Sequence, residues 1–161
     1  MNAPQFGSMK RKSCPARPAG GVRTTGRPSS VCRRTIWEEL ARRVLESDLL
    51  VLATPIYSWY CTPPMKAALD RLVYGLNKYY GERRGPSLWA GKRLALITTC
   101  GYRPERGADL WEEGMRRYCK HSGLRYQGML AERHLGYNTV FFDGEKERRA
   151  REFARKLSVE D

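Results

Sequence analysis

Two short apolar runs, Leu49 to Thr54 and Arg93 to Thr99, limit what this chain can fold into more than any other feature. Neither alternates apolar with polar residues, as a strand with one wet face does. Unbroken runs of this length suit strands covered on both faces, which is the condition of a parallel sheet. Each run is stopped by turn chemistry, Pro55 after the first and Cys100-Gly101-Tyr102 after the second. A third run, Leu124 to Ala131, alternates more and reads as an edge strand.

Helical patterns lie between and around the runs. Thr35-Ile36-Trp37-Glu38 matches a capping box and opens a helix to about Glu46, with Ile36, Leu40, Val44 and Trp37 on one face. Thr62 caps a second helix, Pro63 or Pro64 fills its first turn, and Met65, Leu69, Leu72 and Val73 form its buried stripe before Gly75. After a loop from Asn77 to Gly91, the segment following Asp109 carries Leu110, Trp111, Met115, Tyr118 and Cys119 at helical spacing, closed by Gly123. Asp143 caps a last helix bearing Ala150, Phe153, Ala154 and Leu157. Helices alternating with strands require parallel strands joined by right-handed crossovers, so the fold class is an open α/β sheet with helices on both faces.

The chain has 161 residues and a formal charge of +13, which alone would suggest a nucleic-acid partner. Its distribution argues otherwise. Residues 1–35 hold eight Lys or Arg and no acid, so only +5 remains for the rest. Residues 1–34 are rich in Arg, Pro, Gly, Ser and Thr and cannot offset the entropy of ordering themselves. They read as a basic, disordered N-terminal segment, with 35–161 as the folded domain. Lys10, Arg11 and Lys12 are then a solvated charge cluster, and neither nucleic acid nor membrane is expected as a partner. Cys14, Cys32, Cys61, Cys100 and Cys119 are odd in number and irregularly spaced, and no long apolar stretch lies near the N-terminus. A reduced, cytoplasmic protein without structural metal is expected.

Ligands of open α/β sheets bind beyond the carboxyl ends of the strands, which directs attention to Thr54–Thr62 and Thr99–Arg106. The first loop offers a proline, three aromatics and a hydroxyl. The second offers a glycine for close backbone approach, and hydroxyls. The stretch from Asp48 to Tyr57, followed by Pro64-Met65-Lys66-Ala67 and Leu69-Asp70-Arg71, resembles the flavin-contacting strand, loop and helix of the NADPH-dependent FMN reductase family. Gly91 to Thr99, with Gly101, is similar to that family's next strand and flavin loop. The resemblance runs from Thr35 to Leu157.

It implies a flavodoxin-like fold and an FMN-dependent NAD(P)H oxidoreductase passing electrons to a quinone, a flavin or a similar small-molecule acceptor, assembled as a homodimer or higher homo-oligomer. It also implies that Thr54, Pro55, Ile56, Tyr57, Ser58 and Trp59 flank the isoalloxazine and ribityl, while Thr99, Cys100, Gly101 and Tyr102 approach the ring from the second loop. The flavin carries the hydride chemistry, so no side-chain acid or nucleophile is named. Loop or interface packing is the competing role for Tyr57, Trp59 and Tyr60, and a small buried residue that for Cys100. His121 at a helix C-terminus needs only a dipole interaction, and His134 reads as a surface loop residue.

The family's first strand and its phosphate loop of the Gly-Ser-x-Arg kind have no counterpart here. Cys14 and Cys32 do not reproduce the clustered cysteines of some relatives. The composition changes abruptly at Thr35, as a frameshift or misplaced start in a GC-rich gene would leave it. With the first strand missing, the strand at Leu49 is expected to have an unpaired edge. The alternative function is a non-catalytic flavodoxin-like remnant that holds no flavin.

Overall fold

A computed structural model describes residues 36–79 and 84–159. The predicted tail over 1–34 and the Thr35 half of the capping box lie outside the described residues. The elements run α1 (Ile36–Glu46), β1 (Leu49–Pro55), α2 (Pro63–Leu76), β2 (Arg93–Cys100), α3 (Pro104–Gly107), α4 (Asp109–Ser122), β3 (Arg125–Arg133) and α5 (Gly144–Ser158). The three strands form one parallel sheet in the order β1-β2-β3. Leu49 pairs with Arg93 and Pro55 with Thr99, so the two apolar runs lie side by side in full register. Among the described residues β1 is paired on one side only, as expected.

The core lies on one face of the sheet. Leu52, Leu94 and Leu96 pack with Val44 of α1, Leu69 and Leu72 of α2, and Trp111, Met115 and Cys119 of α4. On the opposite face α5 covers β3 and the start of β2: Arg93 Nη1 donates to the Leu157 carbonyl, and Arg149 forms two hydrogen bonds with Glu132 at 2.8 and 2.9 Å. Helices therefore occupy both faces. Among the described residues they do not cover both faces of every strand, which corrects the reading of the two apolar runs. Val51 is 41% exposed and Ile97 38%, because α5 does not extend over β1.

Helix termini show which local signals hold. Asp143 caps α5, its carboxylate accepting from the Lys146 N–H at 2.8 Å. Gly123 closes α4 at φ 71°, a left-handed conformation in which glycine has no Cβ penalty. Thr62 does not cap α2 with its side chain; its N–H is instead bonded by Thr54 Oγ1 at 3.2 Å. Ile36, expected on the buried face of α1, is 92% exposed, while Trp37 beside it packs against the hydrophobic cluster that Val44 enters.

The connection from Asn77 to Gly91 contains a polar knot. Asn77 is fully buried; its Oδ1 accepts from Trp89 Nε1 at 2.7 Å and Ser87 Oγ at 3.3 Å, and its Nδ2 donates to Ser122 Oγ at 3.2 Å. One amide thus ties the end of α2, the following loop and the end of α4. Trp89 is also fully buried and belongs to the core.

Candidate functional site

The segment after β1 begins with two hydroxyl bonds. Thr98 Oγ1 donates to the Thr54 carbonyl at 2.6 Å, and Thr54 Oγ1, 5% exposed with its residue, receives the Thr62 N–H eight residues on. Within this closed loop Tyr57 and Tyr60 exchange both main-chain hydrogen bonds, at 3.0 and 3.1 Å. Two residues, Ser58 and Trp59, make the turn between them, with φ of 50° and 68°. Paired left-handed residues of this kind define a type I′ hairpin turn, which normally takes Asn-Gly because a Cβ is costly at positive φ. A tryptophan in that position stores strain, and such strain gathers at ligand sites.

The second loop meets the first directly. Ile56 N–H donates to the Thr99 carbonyl at 2.8 Å, and Trp59 Nε1 donates to the Arg106 carbonyl at 3.1 Å. The rings of Trp59 and Tyr102 lie nearly parallel, with an interplanar angle of 10° and centroids 6.1 Å apart. Gly107 of α3 sits behind them. A Cβ there would stand 3.0 Å from Tyr102 Cβ and 3.2 Å from Cys100 Sγ, so only glycine lets α3 pack this closely.

Ile56, Tyr57, Ser58, Trp59, Cys100, Gly101, Tyr102 and Gly107 enclose a cavity of about 320 Å³. Three of the residues expected there are placed elsewhere: Thr54, Pro55 and Thr99 belong to the strand ends and act through the backbone clasp rather than the cavity wall. Residues 103–107, read from sequence as loop, include the short helix α3, and both Arg106 and Gly107 were missed as site residues. The Pro104 that opens α3 and the glycine that ends it were the available signal. Cys100 is 4% exposed; its Sγ donates to the Tyr102 carbonyl at 3.3 Å, and burial pushes its thiol above the ordinary range. His134 contributes its N–H to the Cys100 carbonyl, while its ring packs beside Tyr137 and Phe141. His121 stands edge-on to Tyr79.

The cavity suits a planar, partly polar ring. It has aromatic walls, and the main-chain N–H groups of Ser58, Trp59, Gly101 and Tyr102 have no main-chain acceptor among the described residues. Among the described residues no cationic side chain lines it. Among the described residues no group of three or more His, Cys, Asp or Glu is placed to hold a metal, and no helix is long and apolar enough to cross a membrane.

An open parallel sheet with its cavity beyond the strand ends defines an α/β ligand-binding fold of the doubly wound kind. Residues 20–110 match the model of the NADPH-dependent FMN reductases, and the chain belongs to that family. It is 35% identical over 68 residues to an FMN-dependent NADH:quinone oxidoreductase of Methylorubrum extorquens, a match covering 39% of this chain and about a third (34%) of that relative. An NADPH-quinone reductase from P. pentosaceus superimposes with a TM-score of 0.57 at 15% identity, over 77% of this chain and 76% of that one. The Trp repressor binding protein of Bacillus subtilis gives 0.54 at 15% identity, over 80% and 72%. These structures establish the flavodoxin-like fold.

Proposed function

We propose that this chain is the flavin-ring-binding portion of an FMN-dependent NAD(P)H oxidoreductase that passes electrons to a quinone or a similar planar acceptor. The observation that carries the proposal is the convergence of Trp59 and Tyr102, 43 positions apart in sequence, as parallel rings over one cavity. When bound, FMN supplies hydride acceptance from the nicotinamide and electron delivery to the acceptor.

The chain's own residues bind and orient. Trp59 and Tyr102 offer ring faces. Carbon atoms in contact sit about 3.5 Å apart, so admitting a ring between the two faces requires planes roughly 7 Å apart. The plane separation of Trp59 and Tyr102 cannot exceed their 6.1 Å centroid spacing, so the two rings must part by at least about 1 Å. Both side chains are largely exposed and sit on loops, which makes that movement inexpensive. The free N–H groups of Ser58, Trp59, Gly101 and Tyr102 face the requirement of a ring whose edge carries carbonyl oxygens and nitrogens. Cys100 stays a thiol, since burial disfavours its anion, and its Sγ–H bond to Tyr102 holds the second loop in shape.

Residues 35–161 act as the flavodoxin-like unit, in a cytoplasmic homo-oligomer with a small-molecule acceptor as the substrate. The test is a visible spectrum of protein mixed with FMN and freed of excess ligand by gel filtration. Retained flavin bands, with flavin fluorescence quenched by the two rings, are expected, and NAD(P)H oxidation follows. A colourless protein would instead support the non-catalytic remnant.

A further inference from the structure

Among the described residues the ring cavity has no charged side chain in its wall, yet one cation is fastened to the back of that wall. β3 ends at Arg133, whose register partner in the sheet is Cys100. Arg133 Nε donates to the Gly101 carbonyl at 3.1 Å, and the next residue, His134, donates its N–H to the Cys100 carbonyl at 2.8 Å. Two consecutive residues thus hold the wall residues Cys100 and Gly101 from outside, which fixes where the guanidinium stands.

Holding the loop does not itself need a charge, since a neutral donor can bond a carbonyl. The charge of Arg133 is unspent: among the described residues it forms no ion pair, and its Nη atoms have no hydrogen-bond partner. The adjacent Glu132 carboxylate is occupied by both bonds from Arg149. The charge also reaches the cavity. Burial is the largest influence on the Cys100 thiol and pushes it up; of the two charges acting on it, Arg133 pulls it down and Glu105 pushes it up.

We infer that Arg133 sets the reduction potential of the flavin ring, its guanidinium favouring the reduced, negatively charged ring over the oxidised, neutral one. This rests on the proposed function. Hydride transfer from NAD(P)H carries two electrons and one proton to the ring and leaves NAD(P)+, so the ring gains one negative charge, spread over N1 and the C2 carbonyl. The free N–H groups of Gly101 and Tyr102 suit those acceptors. A ring atom bonded to the Gly101 N–H stands about 3 Å from that nitrogen. The nitrogen and oxygen of one residue are at most about 3.6 Å apart, and Arg133 Nε is 3.1 Å beyond. The guanidinium is then within about 10 Å of the ring edge, roughly one Debye length in 0.1 M salt. At an effective dielectric constant of about 20, opposite unit charges at that distance shift an equilibrium about tenfold. Arg133 is exposed, and solvent screening lowers this to between about three- and tenfold.

The test reads the potential of bound FMN from its visible spectrum, in equilibrium with a redox dye. Arg133→Gln keeps a donor for the Gly101 carbonyl and loses the charge. It is expected to weaken the binding of reduced FMN relative to oxidised by about three- to tenfold, a drop of about 15–30 mV for a two-electron couple. Arg133→Lys keeps the charge and should stay near wild type. Glu105→Gln removes the opposing charge and should move the potential the other way, and this arm decides if Arg133→Gln does not fold. An unchanged potential in folded Arg133→Gln overturns the inference. So does an equal drop in Arg133→Lys, which a merely structural role would give, or a potential that Glu105→Gln leaves in place. In the FMN-free protein the inflection for Cys100 alkylation should rise in Arg133→Gln; an inflection that stays put shows that the charge does not reach the wall, and overturns the inference independently of FMN. A wild-type protein that retains no FMN sinks the proposed function and this inference with it, whereas retained FMN with the same potential in every variant sinks the inference alone.

Discussion

Replacing Trp59 by glycine and by alanine should reverse the usual order of their stabilities. Both substitutions remove the indole bond to the Arg106 carbonyl and the contact with Tyr102, so those losses cancel in the comparison. What differs is the backbone. At φ 68° a residue with a Cβ bears a cost of about 1–2 kcal/mol, which alanine retains and glycine does not. Glycine returns about 0.4–1 kcal/mol through its freer unfolded chain. The balance leaves the glycine variant more stable by roughly 0.5–1 kcal/mol. Urea titration followed by circular dichroism reads this directly: with a slope of about 2 kcal/mol/M, the midpoint of Trp59→Gly lies roughly 0.3–0.5 M above that of Trp59→Ala. Both variants should lose FMN affinity alike, by about tenfold, corresponding to about 1.4 kcal/mol. An alanine variant as stable as the glycine one would refute the strain at the turn. A glycine variant that binds FMN like the wild type would show that the indole is not a ring contact.

Three further outcomes follow from other parts of the structure. Asn77→Ala strands the buried Trp89 indole N–H and removes three hydrogen bonds, and should cost about 3 kcal/mol against about 1 for Ser122→Ala; equal midpoints for the two in urea would argue against the knot. Alkylation of Cys100 in the FMN-free protein should show an inflection above that of an unperturbed thiol, because burial holds its pKa up, and bound FMN should slow the reaction; an inflection below pH 8 would contradict the buried placement. The Asp143 carboxyl is held below the usual range, chiefly by the Lys146 N–H, so its contribution to α5 is fully present above the unfolded value near 4 and fades as pH falls through the lower folded value. Asp143→Asn should keep the cap while flattening that part of the pH–stability curve, which acid titration of the thermal midpoint can check.

The elements themselves were legible because each rests on local chemistry: two unbroken apolar runs, a Thr-Pro-Pro start, a left-handed glycine stop and an aspartate cap. What escaped the sequence depends on distance in space. Ile36 keeps the helical spacing of Leu40 and Val44, yet spacing says nothing about where the core ends, and the residue lies beyond it. Trp89 sits in a stretch rich in charge and glycine and looks like surface until Asn77 and Ser122 close around it. At the candidate site, the two loops that share the cavity were readable from their position after strands. The I′ turn was not, because Ser-Trp lacks the Asn or Gly that such turns take. Breaking that local rule is in keeping with the ligand site proposed here, where geometry matters more than propensity.

The Thr54 clasp has a consequence for how specificity in such a protein can change. Its hydroxyl holds Thr62 and its carbonyl holds Thr98, so both ends of the intervening segment are anchored on one residue of the sheet. The exposed residues from Tyr57 to Tyr60 therefore behave as an interchangeable cassette. Their identities can be rewritten to suit another ring, and the strand, the helix and the core that Ile56 and Cys61 enter need not be renegotiated each time.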